Sequence, residues 1–306
     1  MNFNLKKKSL FKKGVMLSAA SGLLYGLLGW LGITIINSGS SVINMLFWRF
    51  SLASLMLFLM LPLVSRVSLT KELVSMKGPL WLHLGISVFF SSCSTVTYFL
   101  AAQRIGTGLG MIIFFSFPAV VVLLSWIYDN QRPSLITLVA LIGITIGCIL
   151  VASGEENTHF DSLGVGFAIF SALAYSLFMF WNKRALHHVN STLATGLVCA
   201  GNGIVLAIIA FSMGSLTWLN GISIWMVLIA LSLLATALPM LFLLQGMKYI
   251  TASLAAILSV LEPLVTLTIG IFILHEPATS LQLVGAAIIL TSAVLAQRKS
   301  KMPTEL

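Results

Sequence analysis

The chain has 306 residues, 58% of them hydrophobic and only 8% charged, with a mean hydropathy of +1.05 and a formal net charge of +9. Soluble globular chains carry about 25% charged residues, so this composition excludes a water-soluble enzyme or binding module and points to a protein dissolved in lipid. The positive charge flanks apolar runs and falls almost wholly on one side of them, which argues for membrane orientation and against a nucleic-acid partner.

Ten apolar runs follow one another, each long enough to cross a hydrocarbon core about 30 Å thick. They are 14–35, 42–63, 79–102, 106–128 and 134–153, then 163–182, 192–213, 222–245, 251–273 and 280–297. None alternates polar with apolar residues as a barrel strand must, so the fold class is all-α integral membrane. The basic start "KKKSLFKKG" resembles a signal-peptide n-region, but the apolar run behind it is longer than the usual h-region, which predicts an uncleaved first span. The longest gap, 64–78, leaves no room for a soluble domain. Of the 17 Lys and Arg residues, Arg49 lies inside the second span and Arg104 is alone on one side of the alternating spans; all the others fall on the opposite side. The positive-inside rule then predicts that both termini are cytoplasmic.

The acidic gap 154–162, "GEENTHFDS", divides the chain into halves, 1–153 and 163–306, that repeat one another. A shift of 150 pairs Gly14 with Gly164, Ser21 with Ser171 and Tyr25 with Tyr175. A shift of 145 pairs Ile105 with Ile250, Leu109 with Leu254 and Pro118 with Pro263, and carries Leu138 and Val139 onto Leu283 and Val284. Five spans per half is an odd number, so the second copy enters the membrane from the opposite side. Such inverted repeats are typical of alternating-access transporters, with the site near the midplane between the halves.

The stretch "YITASLAAILSVLEPLVTLTIGIFILHEPATSLQLVGAAIILTSAVLA" at 249–296 resembles the closing pattern of the EamA-type ten-helix permeases of the drug/metabolite transporter superfamily. It has small residues, a midmembrane proline preceded by Glu, a further Glu at 276 and a Gly-containing tenth helix. "RIGTGLGMIIFFSFPAVVVLLSWIYDNQRPS" is a looser copy in the first half, with Gln131 in place of the acid, and "FWRFSLASLML" is similar to the family's Arg followed by small residues. The resemblance implies a permease of the bacterial inner membrane, with export the commoner direction. It leaves the substrate open among amino acids, nucleosides, cofactors and drugs.

Pro118 and Pro263 lie at matching depths, and each lacks the amide hydrogen that would bond the carbonyl four residues back, at Phe114 and at Ser259. They are the expected hinges of the fourth and ninth spans, although transmembrane prolines also simply shape packing. Glu262 lies deep in the ninth span, where an acid costs about 2.5–3.5 kcal/mol on insertion scales. Three roles stay open for it: a protonated donor to a freed carbonyl or a partner of Arg49, a group that exchanges a proton with each side in turn, or a contact for a cationic part of the substrate. Arg49 is the only basic residue deep in a span; it either offers its fork of donors to a substrate carboxylate or snorkels outward.

Ser87, Ser91, Ser94 and Tyr98 fall at i, i+4, i+7 and i+11, one helical face that suits either interhelical hydrogen bonds or a wet cavity wall. Tyr25, Trp30, Phe114, Phe115, Tyr175, Phe178 and Ser259 complete the candidate cavity lining. Gly22 with Gly26 and Gly143 with Gly147 allow close helix approach within a protomer or between two of them, so a monomer and a homodimer both remain open. "GTGLG" at 106–110 has neither a preceding strand nor a Walker lysine and is assigned to the start of the fourth span. Cys93, Cys148 and Cys199 have no metal-like spacing, and no His forms a metal constellation, so neither metal nor cofactor is expected. Together these features predict a secondary transporter, driven by protons, by exchange or by the substrate gradient. Its substrate would be a small organic metabolite such as an amino acid or related amphiphilic solute. A cofactor or nucleoside importer of the same fold is the alternative, and a channel or receptor is the competing class.

Overall fold

Backbone amides in hydrocarbon can find partners only within the chain, and the apolar runs satisfy them as helices. The computed structural model of the protein describes residues 2–65, 78–152, 161–186, 188–273 and 279–299. The expectations for the 154–160 part of the linker, for Glu276 and for the basic residues of 66–77 lie outside the described residues. Every regular element among the described residues is helical, and ten spans are long and apolar enough to cross a membrane. The first span is α1 (Asn2–Tyr25) with α2 (Leu28–Asn37). Then come α3 (Val42–Ser65), α4 (Gly78–Ile105), α5 (Thr107–Phe114) with α6 (Phe117–Asp129), and α7 (Leu135–Ala152). The second half holds α8 (Ser162–Ala185), α9 (Ser191–Ser212), α10 (Ile222–Ser232) continued through a π-helical segment Leu233–Ala237 into α11 (Leu238–Gly246), α12 (Ala252–Ser259) with α13 (Glu262–Phe272), and α14 (Ser280–Lys299).

Helix starts follow local chemistry. Asp161 accepts from the Leu163 amide at the start of α8, Asn190 from Thr192 and Leu193 before α9, and Thr251 from Leu254 before α12. Gly106, with φ of +80°, makes the turn into α5 that a side chain would oppose. Arg104 reaches Asp161 at 2.9 Å and, by donating to it, holds that carboxyl below the usual carboxylate range. The tie therefore contributes at neutral pH and is lost only as the pH falls through that lowered value.

The helices pack as the repeat requires. α4 lies along α8, and the repeat-related pair of the first and eighth spans packs likewise; these two pairs, together with α3 on α9 and α7 on α14, all bridge the two halves. Large side chains such as Leu63, Leu135 and Phe211 are about 80% exposed, a placement suited to lipid and not to water. Cys148 and Cys199 are buried and all three cysteines are free.

The two glycine pairs work within one protomer. A methyl on Gly22 would come within 2.8 Å of the Leu258 carbonyl and 2.9 Å of that of Ser259, and one on Gly147 within 2.8 Å of the Gly285 carbonyl. Backbone cannot yield as a side-chain tip can, so Gly22→Ala is expected to destabilise the protein by about 1–3 kcal/mol, the usual cost of overpacking. Gly29→Ala, with nothing within 4 Å, should leave the thermal unfolding midpoint in detergent unchanged.

Candidate functional site

The fourth and ninth spans are broken at equivalent points. α5 ends at Phe114 and α6 starts at Phe117; α12 ends at Ser259 and α13 starts at Glu262, so the shift of 145 relates both ends of both breaks. Each proline is the second residue of the new helix, where a missing amide is tolerated because that amide has no intrahelical partner in any case. In the ninth span, Val260 and Leu261 close the bend through amides donated three residues back, to Ile257 and Leu258. Glu262 is thus the first residue of a half-helix and not a mid-helix acid, and the positive end of that half-helix favours a carboxylate.

The first span packs directly on this break. A methyl on Gly26 would stand 2.7 Å from the Glu262 carbonyl oxygen, and Thr266 donates to the Gly26 carbonyl at 3.3 Å. In the other half the repeat mate of Gly26 is Ser176, which donates to the carbonyl of Phe117, the mate of Glu262, at 3.1 Å. One junction is closed by the absence of a side chain and the other by a hydroxyl.

Between the halves lies a cavity of about 100 Å³. Glu262 and Arg49 both face it. Arg49 is 5% exposed; its Nε donates to Thr236 Oγ1 at 2.6 Å, its Nη2 to the Ala235 carbonyl at 3.5 Å, and its guanidinium lies 5.0 Å from the Phe50 ring centre. It points inward and does not snorkel. The π-helical segment presents Thr236 to it, a local widening of the helix of the kind often found at functional sites. No ion pair joins Arg49 to Glu262, and the Glu262 carboxylate has no hydrogen-bond partner among the described residues.

Ser91, Ser94, Asn202 and Ser259 supply further polar groups. Asn202 is fully buried, accepts from Ser92 Oγ at 2.5 Å and donates to Ser91 Oγ at 2.8 Å, while Ser94 and Ser171 share a hydrogen bond of 3.2 Å. Beside them stands a wall of rings. Tyr98 meets Phe114 at 5.1 Å and Phe117 meets Tyr175 at 4.8 Å, both edge to face, and Tyr175 stacks on Phe178 at 5.8 Å. Tyr25, the last residue of α1, borders the same space.

Three residues expected there line other surroundings. Ser87 sits one helical turn below the floor and accepts from Asn182 Nδ2 at 2.5 Å. Phe115, 3% exposed, falls in the bend of the fourth span, where the broken register turns it into the core. Trp30 lies beyond the break of the first span and packs against the core on α2. Conversely, Asn202, Thr236, Phe50 and Phe117 line the cavity unforeseen. Asn202 was findable as a lone amide in an oily span, and Phe117 as the repeat mate of Glu262.

Polar contacts join the spans at the end of the bundle that carries the basic loops. Lys183 donates to the Met247 carbonyl and Lys248 to the Val189 carbonyl at 2.5 Å, a reciprocal clasp between the ends of the sixth and eighth spans. Arg184 pairs with Asp129 at 2.5 Å between the sixth and fourth. At the other end, α2 leans on α10 and touches α13 sparingly, whereas α6, the mate of α13, packs along α8.

Comparison with known proteins places these features in a family. The profile of the EamA-like transporter family matches residues 12–153 and again 162–297. An uncharacterized transporter of Archaeoglobus fulgidus is 28% identical over 216 residues, 71% of this chain and 76% of that protein. The uncharacterized transporter sll1319 of Synechocystis is 27% identical over 249 residues, 76% and 73% of the two chains. The uncharacterized inner membrane transporter YicL of Salmonella typhimurium is 23% identical over 67% of this chain and 69% of its own. A crystal structure of another protein superposes with a TM-score of 0.80 at 17% identity, covering 94% of this chain and 98% of that one, a likeness of fold alone. With both halves matched, the chain belongs to the EamA-like transporter family and is an integral membrane transporter, not an enzyme.

Proposed function

We propose that the protein is a secondary carrier of the bacterial inner membrane that moves a small zwitterionic metabolite, an amino acid or a related amphiphilic solute. The observation that carries this reading is the presence, in one cavity, of a guanidinium and a carboxyl that are not bonded to each other, set against a wall of aromatic rings. Arg49 would take the substrate carboxylate, Glu262 its ammonium group, and the rings its apolar part. Between substrates, a proton on Glu262 would neutralise the acid that the ammonium otherwise neutralises, which makes proton exchange the natural partner of transport.

Alternating access is supported by the difference between halves that share one repeat. The first span is broken at Gly26–Leu27 and the eighth is widened at Leu233–Ala237, while their mates α8 and α4 run unbroken. Exchanging these conformations between the halves would close the cavity where it is loose and open it at the lysine clasp. Pro118 and Pro263, at the starts of α6 and α13, would be the points about which the half-helices pivot. With the basic loops cytoplasmic, as the charge distribution argues, the conformation described here faces outward.

The test is counterflow in proteoliposomes holding the purified chain, with a panel of labelled amino acids. A carrier gives saturable, transient accumulation of label against an excess of unlabelled substrate inside. Flux without counterflow would make the protein a channel, and stabilisation by a ligand without any flux would make it a receptor.

A further inference from the structure

Away from the central cavity, α4, α6 and α8 leave a second concavity on the outside of the bundle, of about 750 Å³. Its walls are aromatic along their length: Trp81 and Phe89 from α4, Tyr128 from α6, Phe180 and Trp181 from α8. Trp81 is 47% exposed and Phe89 and Tyr128 are each 60% exposed, and in a ten-span protein that exposure is to lipid. At one end of the groove stands Arg184, next to the last residue of α8 and so at the level where a helix leaves the hydrocarbon.

Arg184 is held against the groove and not released into water. Its guanidinium lies 4.8 Å from the Phe180 ring centre and 5.9 Å from that of Tyr128. Nε and Nη2 both donate to Asp129 Oδ1, at 3.0 and 2.5 Å, and Nη2 also donates to the Tyr128 carbonyl at 3.1 Å. Nη1 has no partner among the described residues, and the Arg184 side chain is 45% exposed. A long oily slot ending in a planar cation at the interface has the shape and charge order of a phospholipid: chain first, phosphate last. The repeat supplies a control within the molecule, because the positions equivalent to Phe180 and Arg184 in the other half are Trp30 and Thr34, which carry no cation. The groove also opens at the end of the molecule that carries nearly all the Lys and Arg residues, the side to which acidic lipids are drawn.

We propose that this groove is a site for an anionic phospholipid: an acyl chain lies along Trp81, Phe89 and Phe180, and the headgroup phosphate accepts from Arg184 in competition with Asp129. The site is separate from the transport cavity and does not depend on which solute the cavity takes.

Tryptophan quenching by brominated lipids in vesicles containing the full chain tests this, with the signal of Trp81 obtained as the difference between wild type and Trp81→Phe. Vesicles of brominated phosphatidylglycerol in unlabelled phosphatidylcholine are compared with the reverse labelling. The expected result is several-fold preferential association of phosphatidylglycerol at Trp81. Arg184→Gln should bring that preference to unity, and Asp129→Asn, which frees the guanidinium, should raise it. A ratio of one in wild type, or a ratio unmoved by Arg184→Gln, overturns the proposal. Absence of quenching by either lipid would mean that a second copy of the chain covers the groove, and overturns it equally. Should Arg184→Gln fail to fold, a preference that does not rise in Asp129→Asn is the overturning result.

Discussion

Glu262→Gln is expected to leave substrate exchange running while removing its dependence on pH and on a proton gradient. The substitution keeps the size and the polar atoms of the side chain at the first position of α13, so the bend and its packing against Gly22 and Gly26 should survive. What it removes is the ability to carry a proton or a negative charge. In wild type the carboxyl faces the cavity without a hydrogen-bond partner among the described residues, so either a proton or a cationic substrate group must answer its charge each time the cavity is closed from water. If the substrate's ammonium is the other ligand, Gln should also weaken apparent affinity by roughly ten- to a hundredfold, because one lost charge-assisted bond costs about 1.5–3 kcal/mol. Uptake driven by an imposed pH step, compared with counterflow at a series of fixed pH values, separates the two effects. A variant that keeps both rate and pH dependence would show that coupling does not pass through Glu262.

That acid also shows how far the sequence carries. Spans were legible because an apolar run of about twenty residues has few other uses, and the repeat was legible because a fixed shift of 145 aligns prolines across the halves. In the structure the same shift relates the two breaks residue by residue, Phe114 to Ser259 and Phe117 to Glu262. A proline announces a break through the bond it cannot make, which is a local property and therefore readable. The break of the first span at Gly26–Leu27 has no proline. It depends on how closely Gly22 and Gly26 let α1 approach the ninth span and on which way α2 then leans, and both are tertiary facts. Its mate Ser176 lies within the unbroken α8 and donates to the Phe117 carbonyl.

The cavity lining was legible by face but not by depth. The stripe of Ser87, Ser91, Ser94 and Tyr98 does share one face of α4, yet the floor of the cavity lies between Ser87 and Ser91, where Asn182 from α8 takes up the Ser87 hydroxyl. Helical periodicity fixes direction around an axis and is silent about where along that axis the neighbouring helices part. The π-helical segment was hidden for a related reason. Leu233–Ala237 reads as ordinary oily helix, and only the widened turn brings Thr236 to Arg49.

Arg49→Lys is expected to be the more damaging of the two substitutions at the cavity, although it keeps the charge. The guanidinium does three things at once: it donates to Thr236 Oγ1, it reaches the Ala235 carbonyl, and it sits over the Phe50 ring, 5.0 Å from its centre. An ammonium is a point donor that neither stacks in that way nor holds two fixed directions, so a lysine drawn to Thr236 would present nothing bidentate to a carboxylate in the cavity. Losing a charge-assisted pair costs about 1.5–3 kcal/mol, or a rise in half-saturating concentration of roughly ten- to a hundredfold. Because Arg49 also ties α3 to the eighth span, a change in thermal midpoint without ligand must be measured beside it. The decisive quantity is the stabilisation that substrate adds, since a ligand that binds only the folded state raises stability in proportion to its occupancy. If Arg49→Lys lowers the unliganded midpoint but keeps the full increment from substrate, Arg49 is a strut of the cavity wall. If the increment disappears while the midpoint holds, the guanidinium is the group that receives the substrate carboxylate.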